Sequence, residues 1–275
     1  MGELILCTHN IAANSFYIEG ASLNVYSLEE LSYYIYNNSY LLDETFVSPS
    51  LCNWIEKELH DKALASEIYA LIGDNVGLNV IVGHLLRSNG YLTKAEIKRC
   101  LEIISSFEGK TEAESRKLRA DHMMRDGRLS DAVFSYEMIL DKNLPMEDTL
   151  KGNIMHNLGC ALCGLFFYSR ASLYFEKAYR LNRNKESLNR LLLSLIFADD
   201  TESFNIMADR YQVLPEEIED IKNLYLETIN SKDNERFYSE LNNRLISAKD
   251  DVEREFIFDD LMGDIKRDYR SIRTV

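Results

Sequence analysis

Residues 157–178 read NLGCALCGLFFYSRASLYFEKA, and two small residues in this stretch, Gly159 and Ala171, lie twelve positions apart. In two helices joined by a short turn, this spacing brings the small residues to the place where the helices touch. Phe175 and Ala178 follow at helical spacing and are suited to fill the seam to the next helix pair. The stretch predicts a helical hairpin that repeats along the chain.

A second copy of this pattern precedes the first by 39 positions. The equivalent pairs are Ala120 and Gly159, Leu129 and Tyr168, Ala132 and Ala171, and Tyr136 and Phe175. A third unit, over about residues 185–211, keeps the helical pattern but has lost the small residues at the key positions. We therefore expect two clear units and one degenerate unit.

From about Ala113 to Tyr211, the pattern resembles the tetratricopeptide repeat, a helical hairpin with a usual period of about 34 residues. The resemblance implies an all-α protein of helical-hairpin repeats, an α-solenoid with polar capping ends. We place the extra length of the 39-residue offset in a surface turn at Asn143-Leu144-Pro145-Met146, where an insertion costs little.

Helix signals divide the remaining sequence. Ser27 and Glu30 form a capping box at the start of a helix, and Pro215 suits the first turn of another. With only 3 Pro and 12 Gly in 275 residues, long helices are favoured over strands. The predicted organisation is an irregular arm at 1–26, an N-terminal helical region at 27–110, the repeats at 111–213 and a long C-terminal capping helix within 214–275.

The formal charge of −14, from 45 acidic and 31 basic residues, opposes binding to nucleic acid and favours a basic partner. No apolar run is long enough to span a bilayer, and the N-terminus does not match a signal peptide. We expect no membrane partner and a cytoplasmic location. The five cysteines are an odd number, which favours free thiols.

The resemblance also implies a binding groove, because fixed positions of each first helix line a concave face in the tetratricopeptide family. Three of these residues, Lys117, Asn157 and Arg190, match part of a clamp with which some members hold the carboxylate of a chaperone C-terminus. Asp121 stands where that clamp has an Asn, and its like charge would repel the ligand. The carried-over groove residues are Glu114, Lys117, Asp121, Asn153, His156, Asn157, Cys160, Cys163 and Arg190.

We therefore predict a non-catalytic adaptor or scaffold that needs no cofactor and binds a peptide or helix of a partner protein. One alternative is a peptide-sensing regulatory receptor that acts through protein contacts. A second is a thiol or metal enzyme that uses Cys160 and Cys163, although two cysteines three positions apart in a helix also serve as ordinary packing residues. No His-rich ligand motif or phosphate-binding loop supports an enzyme.

Two apolar features need cover. Leu165, Phe166 and Phe167 fall in the turn of the best hairpin, and burying each side chain would contribute about 1.5–3 kcal/mol. We expect the N-terminal helices to cover these residues, with a partner protein as the alternative. The C-terminal helix carries apolar residues at helical spacing, which suits either a cap or self-association into a homo-oligomer.

Overall fold

The computed structural model describes residues 7, 9–142, 144–248 and 250–272, without the side chains of 232–238, 240, 251, 261 and 264–272. Within these residues the chain forms fourteen α-helices and one pair of short strands. The prediction of a mostly helical protein is confirmed. The chain consists of two compact units, Met1–Thr111 and Glu112–Val275.

The first unit begins with a β-hairpin, which is the exception to the helical expectation. Its strands pair antiparallel with Phe16 opposite Val25, and they bury Ile18 and Val25 while Tyr17 stays exposed. Three-residue strands are too short to leave a clear alternating pattern in the sequence. The elements of this unit are β1 (Phe16–Ile18), β2 (Leu23–Val25), α1 (Leu28–Asn38), α2 (Pro49–Lys57), α3 (Lys62–Gly73), α4 (Leu78–Ser88) and α5 (Lys94–Ser105).

Side chains of α2 hold the described part of the arm against the helices. The buried Trp54 donates its indole N–H to the carbonyl oxygen of Asn14 at 2.9 Å, and its ring lies 5.6 Å from that of Phe16. Asn10 donates from Nδ2 to the carbonyl oxygen of Leu59 at 2.8 Å. The arm is therefore part of the core of this unit. Residues 1–6 and 8 of the predicted arm lie outside the described part of the chain.

The second unit is formed by nine helices within the described residues. These are α6 (Glu112–Arg125), α7 (Leu129–Asp141), α8 (Asp148–Gly164), α9 (Tyr168–Asn182), α10 (Lys185–Phe197), α11 (Thr201–Arg210), α12 (Pro215–Ile229), α13 (Lys232–Ser247) and α14 (Asp251–Ile272). One continuous core joins α6 to α12. The predicted insertion at 143–146 falls in the connection between α7 and α8, and residue 143 itself lies outside the described residues.

Glycines allow α8 and α9 to approach closely. A Cβ atom on Gly159 would lie 2.7 Å from the ring of Phe175, and one on Gly152 would lie 2.8 Å from Cβ of Asn182. Both distances are shorter than van der Waals contact, so neither position accepts a side chain without movement of its neighbour. Phe175 and Ala171 are completely buried at this contact.

The same turn recurs between helices of the second unit. Gly127, Phe166 and Asp199 each have a left-handed backbone, with φ of 73°, 64° and 55°. Each donates its N–H to the carbonyl three residues earlier, and the next residue donates to the carbonyl five residues earlier, at 2.9–3.2 Å. This is the Schellman ending of a helix. The three turns are separated by 39 and 33 positions and join the hairpins α6–α7, α8–α9 and α10–α11. The same pair of bonds also ends α11 at Gln212, so the turn by itself does not identify a hairpin.

Aligned on these turns, the third hairpin reverses the sizes of a packed pair. Leu192 of α10 occupies the position that Gly159 has in α8, and Ala208 of α11 occupies the position of Phe175 in α9. All four residues are buried in the same core. A large residue opposite a small one fills the space in either order. By this alignment the third hairpin has its large residue on α10 and its small residue on α11, the reverse of the order in α8 and α9.

Polar contacts order the helices within this unit. Arg170 of α9 pairs with Glu137 of α7 at 2.8 Å, and Arg210 of α11 pairs with Glu176 of α9 at 3.0 Å. Glu137 and Glu176 are 39 positions apart, which is also the offset between the hairpins α6–α7 and α8–α9. On the other side, hydrogen bonds join α6 to α8 and α8 to α10. The first helices thus contact one another in sequence order, and so do the second helices.

The prediction of one long C-terminal helix is wrong, because the segment forms three helices. The first ends at Asn230, whose N–H reaches the carbonyl of Leu226 at 2.9 Å. The last is capped at its start by Asp250, which accepts the N–H of Glu253 at 2.8 Å. Polar residues near a helix end can make the hydrogen bonds that its terminal backbone groups lack. The segment can therefore divide into separate helices while its apolar residues keep helical spacing. Residues 273–275 of the predicted cap lie outside the described part.

Exchanging the sizes of the Gly159 and Phe175 side chains tests the hairpin alignment. Phe175→Ala should cost about 3–5 kcal/mol of unfolding free energy, and Gly159→Leu about 1–3 kcal/mol from overpacking. The double variant reproduces the Leu192 and Ala208 pair, so it should cost at least about 1 kcal/mol less than the sum. Urea unfolding of the four proteins measures this coupling, and additive costs would contradict the alignment.

Candidate partner-binding face

The groove residues predicted from the sequence lie on first helices of the second unit. We call the surface of α6, α8 and α10 that carries them, extended by the adjoining surface of α12, the first-helix face. The side chain of His156 on α8 is subject to the charges of Lys117 on α6 and of Glu186 and Arg190 on α10. These three helices therefore direct charged side chains toward one region.

Asp121 is the centre of a hydrogen-bond network on this face. Its carboxylate accepts from Lys117 Nζ at 2.6 Å, from Asn157 Nδ2 at 2.7 Å and from the hydroxyl of the buried Tyr136 at 2.5 Å. Burial, with Asp121 as acceptor, raises the pKa of Tyr136 far above its usual value, so the hydroxyl stays a donor. Asn157 and Tyr136 thus join α8 and α7 to Asp121 on α6, whereas Lys117 pairs with Asp121 within α6. Both residues that match the clamp, Lys117 and Asn157, are therefore already engaged by Asp121.

A second network surrounds His156. Its Nδ1 lies 2.9 Å from the hydroxyl of Ser187, and its ring meets the ring of Phe175 edge-on at 5.4 Å between centroids. Asn182 donates to Ser187 and to Asn153, each at 3.2 Å. Burial lowers the pKa of His156, so the imidazole is neutral near pH 7. Ser187 and Asn182 were not predicted, because their role depends on which helices meet.

Cys160 and Cys163 are half-buried on the same face. Burial raises the pKa of both thiols, that of Cys163 to about 11. A thiol needs a lowered pKa to act as a nucleophile at neutral pH. Among the described residues, no group of three or more His, Cys, Asp or Glu side chains could hold a metal ion. Nothing in this geometry activates the two cysteines.

A pocket of about 210 Å³ opens between α10 and α12, and we call it the α10–α12 pocket. The described side chains around it include three carboxylates and two cations. Arg190 pairs with Glu186 at 2.8 Å, and Lys185 pairs with Glu217 across the two helices. The complete lining is Lys185, Glu186, Asn189, Arg190, Leu193, Glu217, Asp220, Ile221 and Leu224. Arg190 is the residue here that the sequence predicted.

The expectation that the chain covers the apolar turn is wrong for two of its three residues. Phe166 is 77% exposed and Phe167 is 51% exposed, whereas Leu165 is half-buried. The Schellman turn at the end of α8 directs both rings outward. The backbone of Phe166 is also strained, because a left-handed conformation is unfavourable for a residue with a side chain.

The exposed turn continues into a row of aromatic side chains. Phe166 meets Tyr168 edge-on at 6.2 Å between ring centroids, and Tyr168 stacks on Phe197 at 5.0 Å. Phe197 in turn meets Tyr225 of α12 edge-on at 5.0 Å. The row links α9, α10 and α12, so Phe166 forms its exposed end, whereas the ring of Phe167 faces the guanidinium of Arg170 at 5.9 Å.

Comparisons of the chain with known proteins do not identify its family. No protein-family model matches the chain, and neither the search of curated proteins nor that of solved structures found a significant match. No helix in the described residues has the length and apolar character needed to cross a membrane. Function must therefore be argued from the geometry.

The Asp121 network can be tested by removing one member at a time. Asp121→Ala leaves the buried hydroxyl of Tyr136 without its acceptor and should lower the unfolding free energy by about 1.5–3 kcal/mol. Lys117→Ala removes one contact of a partly exposed pair and should cost less than about 1 kcal/mol. Denaturant unfolding compares the two; equal small losses would show that the network does not hold the helices together.

A substitution at the strained turn of Phe166 should raise the stability of the protein rather than lower it. Phe166→Gly relieves a left-handed cost of about 1–2 kcal/mol and adds about 0.5–1 kcal/mol of unfolded-chain entropy. It should therefore stabilise the protein by up to about 1.5 kcal/mol. Phe167→Gly is the control, because Phe167 has an ordinary φ of −87° and should not gain stability. A loss of stability in Phe166→Gly, measured by thermal and urea unfolding, would assign the ring a structural role.

Proposed function

We propose that the second unit is a tetratricopeptide-like helical repeat and that the protein is a non-catalytic adaptor. Its first-helix face would bind a peptide or helix of a partner protein. The observation that supports this proposal is the spacing of the turns at Gly127, Phe166 and Asp199, which join three consecutive helix pairs. The close approach of Gly159 and Phe175 in the second pair supports it as well. Stacked hairpins of this kind present the side chains of successive first helices on one surface.

The first-helix face has two parts with different roles, the polar networks and the α10–α12 pocket. The donors and acceptors around Asp121 and His156 are used between helices, so these residues fix the spacing of α6, α8 and α10. The α10–α12 pocket instead combines apolar side chains with charged ones. We therefore place the main binding contacts at α10 and α12, with Asn153 and Arg190 at the margin.

The charge of the pocket indicates the character of the partner. Three carboxylates against two cations leave an excess negative charge, and Asp220 is exposed at the rim. Leu193 and Leu224 offer apolar contact beside it. The partner segment would carry an apolar side chain for these leucines and a Lys or Arg near Asp220. The formal charge of −14 favours encounter with the same kind of partner.

Self-association through the C-terminal helices is a second candidate function. Val252 is 75% exposed and Phe256 is 71% exposed, one helical turn apart on α14, and Ile246 of α13 is also exposed. Apolar side chains this open are typical of surfaces that bind another protein.

The five free cysteines fit a reducing compartment, which supports a cytoplasmic location for either function.

A pair of neighbouring charge reversals tests the binding site. Peptides are selected from a random display library on the immobilised protein, and their affinities are measured in solution by fluorescence anisotropy. Asp220→Lys should weaken the selected peptides at least about tenfold, because it reverses the charge at the pocket rim. Glu219→Lys makes the same change one residue away, outside the pocket lining, and should have little effect.

The selected sequences provide a second readout. They should be enriched in Lys or Arg beside an apolar residue. Selected peptides that bind both variants as tightly as the unaltered protein would place the site elsewhere and contradict the proposal. Circular dichroism confirms that both variants keep their helical content.

A further inference from the structure

The first unit contains a groove between α4 and α5 that none of the sequence motifs indicated. Its volume is about 780 Å³, and we call it the α4–α5 groove. Both of its walls belong to this unit. It is lined by Leu86, Arg87, Gly90, Leu92, Lys94, Ile97, Lys98, Leu101, Glu102 and Ser105.

The floor of this groove is apolar. Leu86, Leu92 and Ile97 are buried beneath it, and Leu101 is half-exposed along it. The aliphatic stems of lysine and arginine side chains at the rim extend such a floor while their charged ends remain in water. The groove therefore offers an apolar surface to an occupant with an apolar face.

Positive charge is concentrated at the rim. Residues 1–111 carry fourteen acidic and seven basic side chains, so the unit as a whole is acidic. Three of the seven basic residues, Arg87, Lys94 and Lys98, line this groove. Glu102 is the only carboxylate in the lining, and its pair with Lys98, at 3.6 Å between exposed side chains, contributes little. The rim complements negative charge.

The dimensions of the groove favour a helix as the occupant. Along α5, the lining runs from Lys94 to Ser105, which is about 16 Å at the usual helical rise of about 1.5 Å per residue. This length accommodates about three turns of a second helix. Exposed side chains on both walls, among them Arg87 and Lys98, leave the groove open to solvent. An open channel of this length suits one face of a helix better than an enclosed small molecule.

We propose that the α4–α5 groove binds an acidic amphipathic helix of a partner protein. Apolar residues on one face of that helix contact Leu101 and the floor, and carboxylates beside them pair with Arg87, Lys94 and Lys98. This surface is separate from the first-helix face. The adaptor would thus have two binding surfaces of opposite preference, one for an acidic helix and one for a basic segment.

A designed peptide tests the proposal on the full-length protein. The probe is a 15-residue peptide with Leu at helical spacing and Glu elsewhere, labelled for fluorescence anisotropy. Lys94→Glu/Lys98→Glu should weaken its binding at least about tenfold, because the rim then repels the carboxylates. Lys57→Glu/Lys62→Glu is the matched control, since it makes the same charge change at exposed sites of this unit outside the groove.

Reversing the peptide charge completes the test. A peptide with Lys in place of Glu should bind the Lys94→Glu/Lys98→Glu variant more tightly than the unaltered protein. Leu101→Gln should weaken the Glu peptide without changing this charge preference. Thermal unfolding by circular dichroism checks that each variant is folded.

Three outcomes would overturn the proposal. The first is equal binding of the Glu peptide to the groove variant and to the matched control. The second is a Lys peptide that binds the Asp220→Lys variant, whose α10–α12 pocket no longer favours basic segments, as tightly as the Glu peptide does. The third is tight, one-to-one binding of dodecanoate that displaces the peptide, which would assign the groove to a small anionic amphiphile. None of these results depends on the first-helix face.

Discussion

The second unit depends on the contact between Gly159 of α8 and the ring of Phe175 of α9. The ring occupies the space that a side chain on Gly159 would need, so the two helices lie close along their length. That approach lets Asn182 of α9 reach Asn153 of α8 and Ser187 of α10. The apolar contact thus sets the distances at which the network of His156, Asn182 and Ser187 forms, and without it those side chains would lack partners.

The same constraint separates structural residues from binding residues. Lys117, Asn157 and His156 have polar or charged side chains at positions suited to ligand contact, yet each already has a partner within the protein. Lys117 pairs with Asp121 on its own helix, and Asn157 and His156 bond to residues of neighbouring helices. Such residues hold a surface in shape rather than recognise a ligand. Groups suited to recognition lie where the packing leaves space, at the α10–α12 pocket and at the α4–α5 groove. Opposite charge at these two places is what an adaptor with two different partners requires.

Local patterns in the sequence predicted the helices well but described their packing incompletely. Ser27 is a helix cap as expected, because capping depends on residues within one turn. The third hairpin was classed as degenerate, since its pair Leu192 and Ala208 reverses the sizes found in α8 and α9. A search for small residues at fixed positions cannot detect a reversed pair. Whether two side chains fill one space depends on the residues of both helices, so it cannot be recognised from either helix alone.

The amino-acid sequence by itself determined the helical class, the turn between α8 and α9 and the position of the groove residues on first helices. The helical class and the turn follow from spacing within a few turns of the chain, whereas the groove positions are what the resemblance to the tetratricopeptide repeat implies. Only the tertiary structure decided that Asp121 joins three helices, that Phe166 and Phe167 remain exposed, and that Arg87, Lys94 and Lys98 surround one apolar groove. The physical reason is that burial and charge pairing depend on residues distant in sequence, whose approach is set by the packing of whole helices.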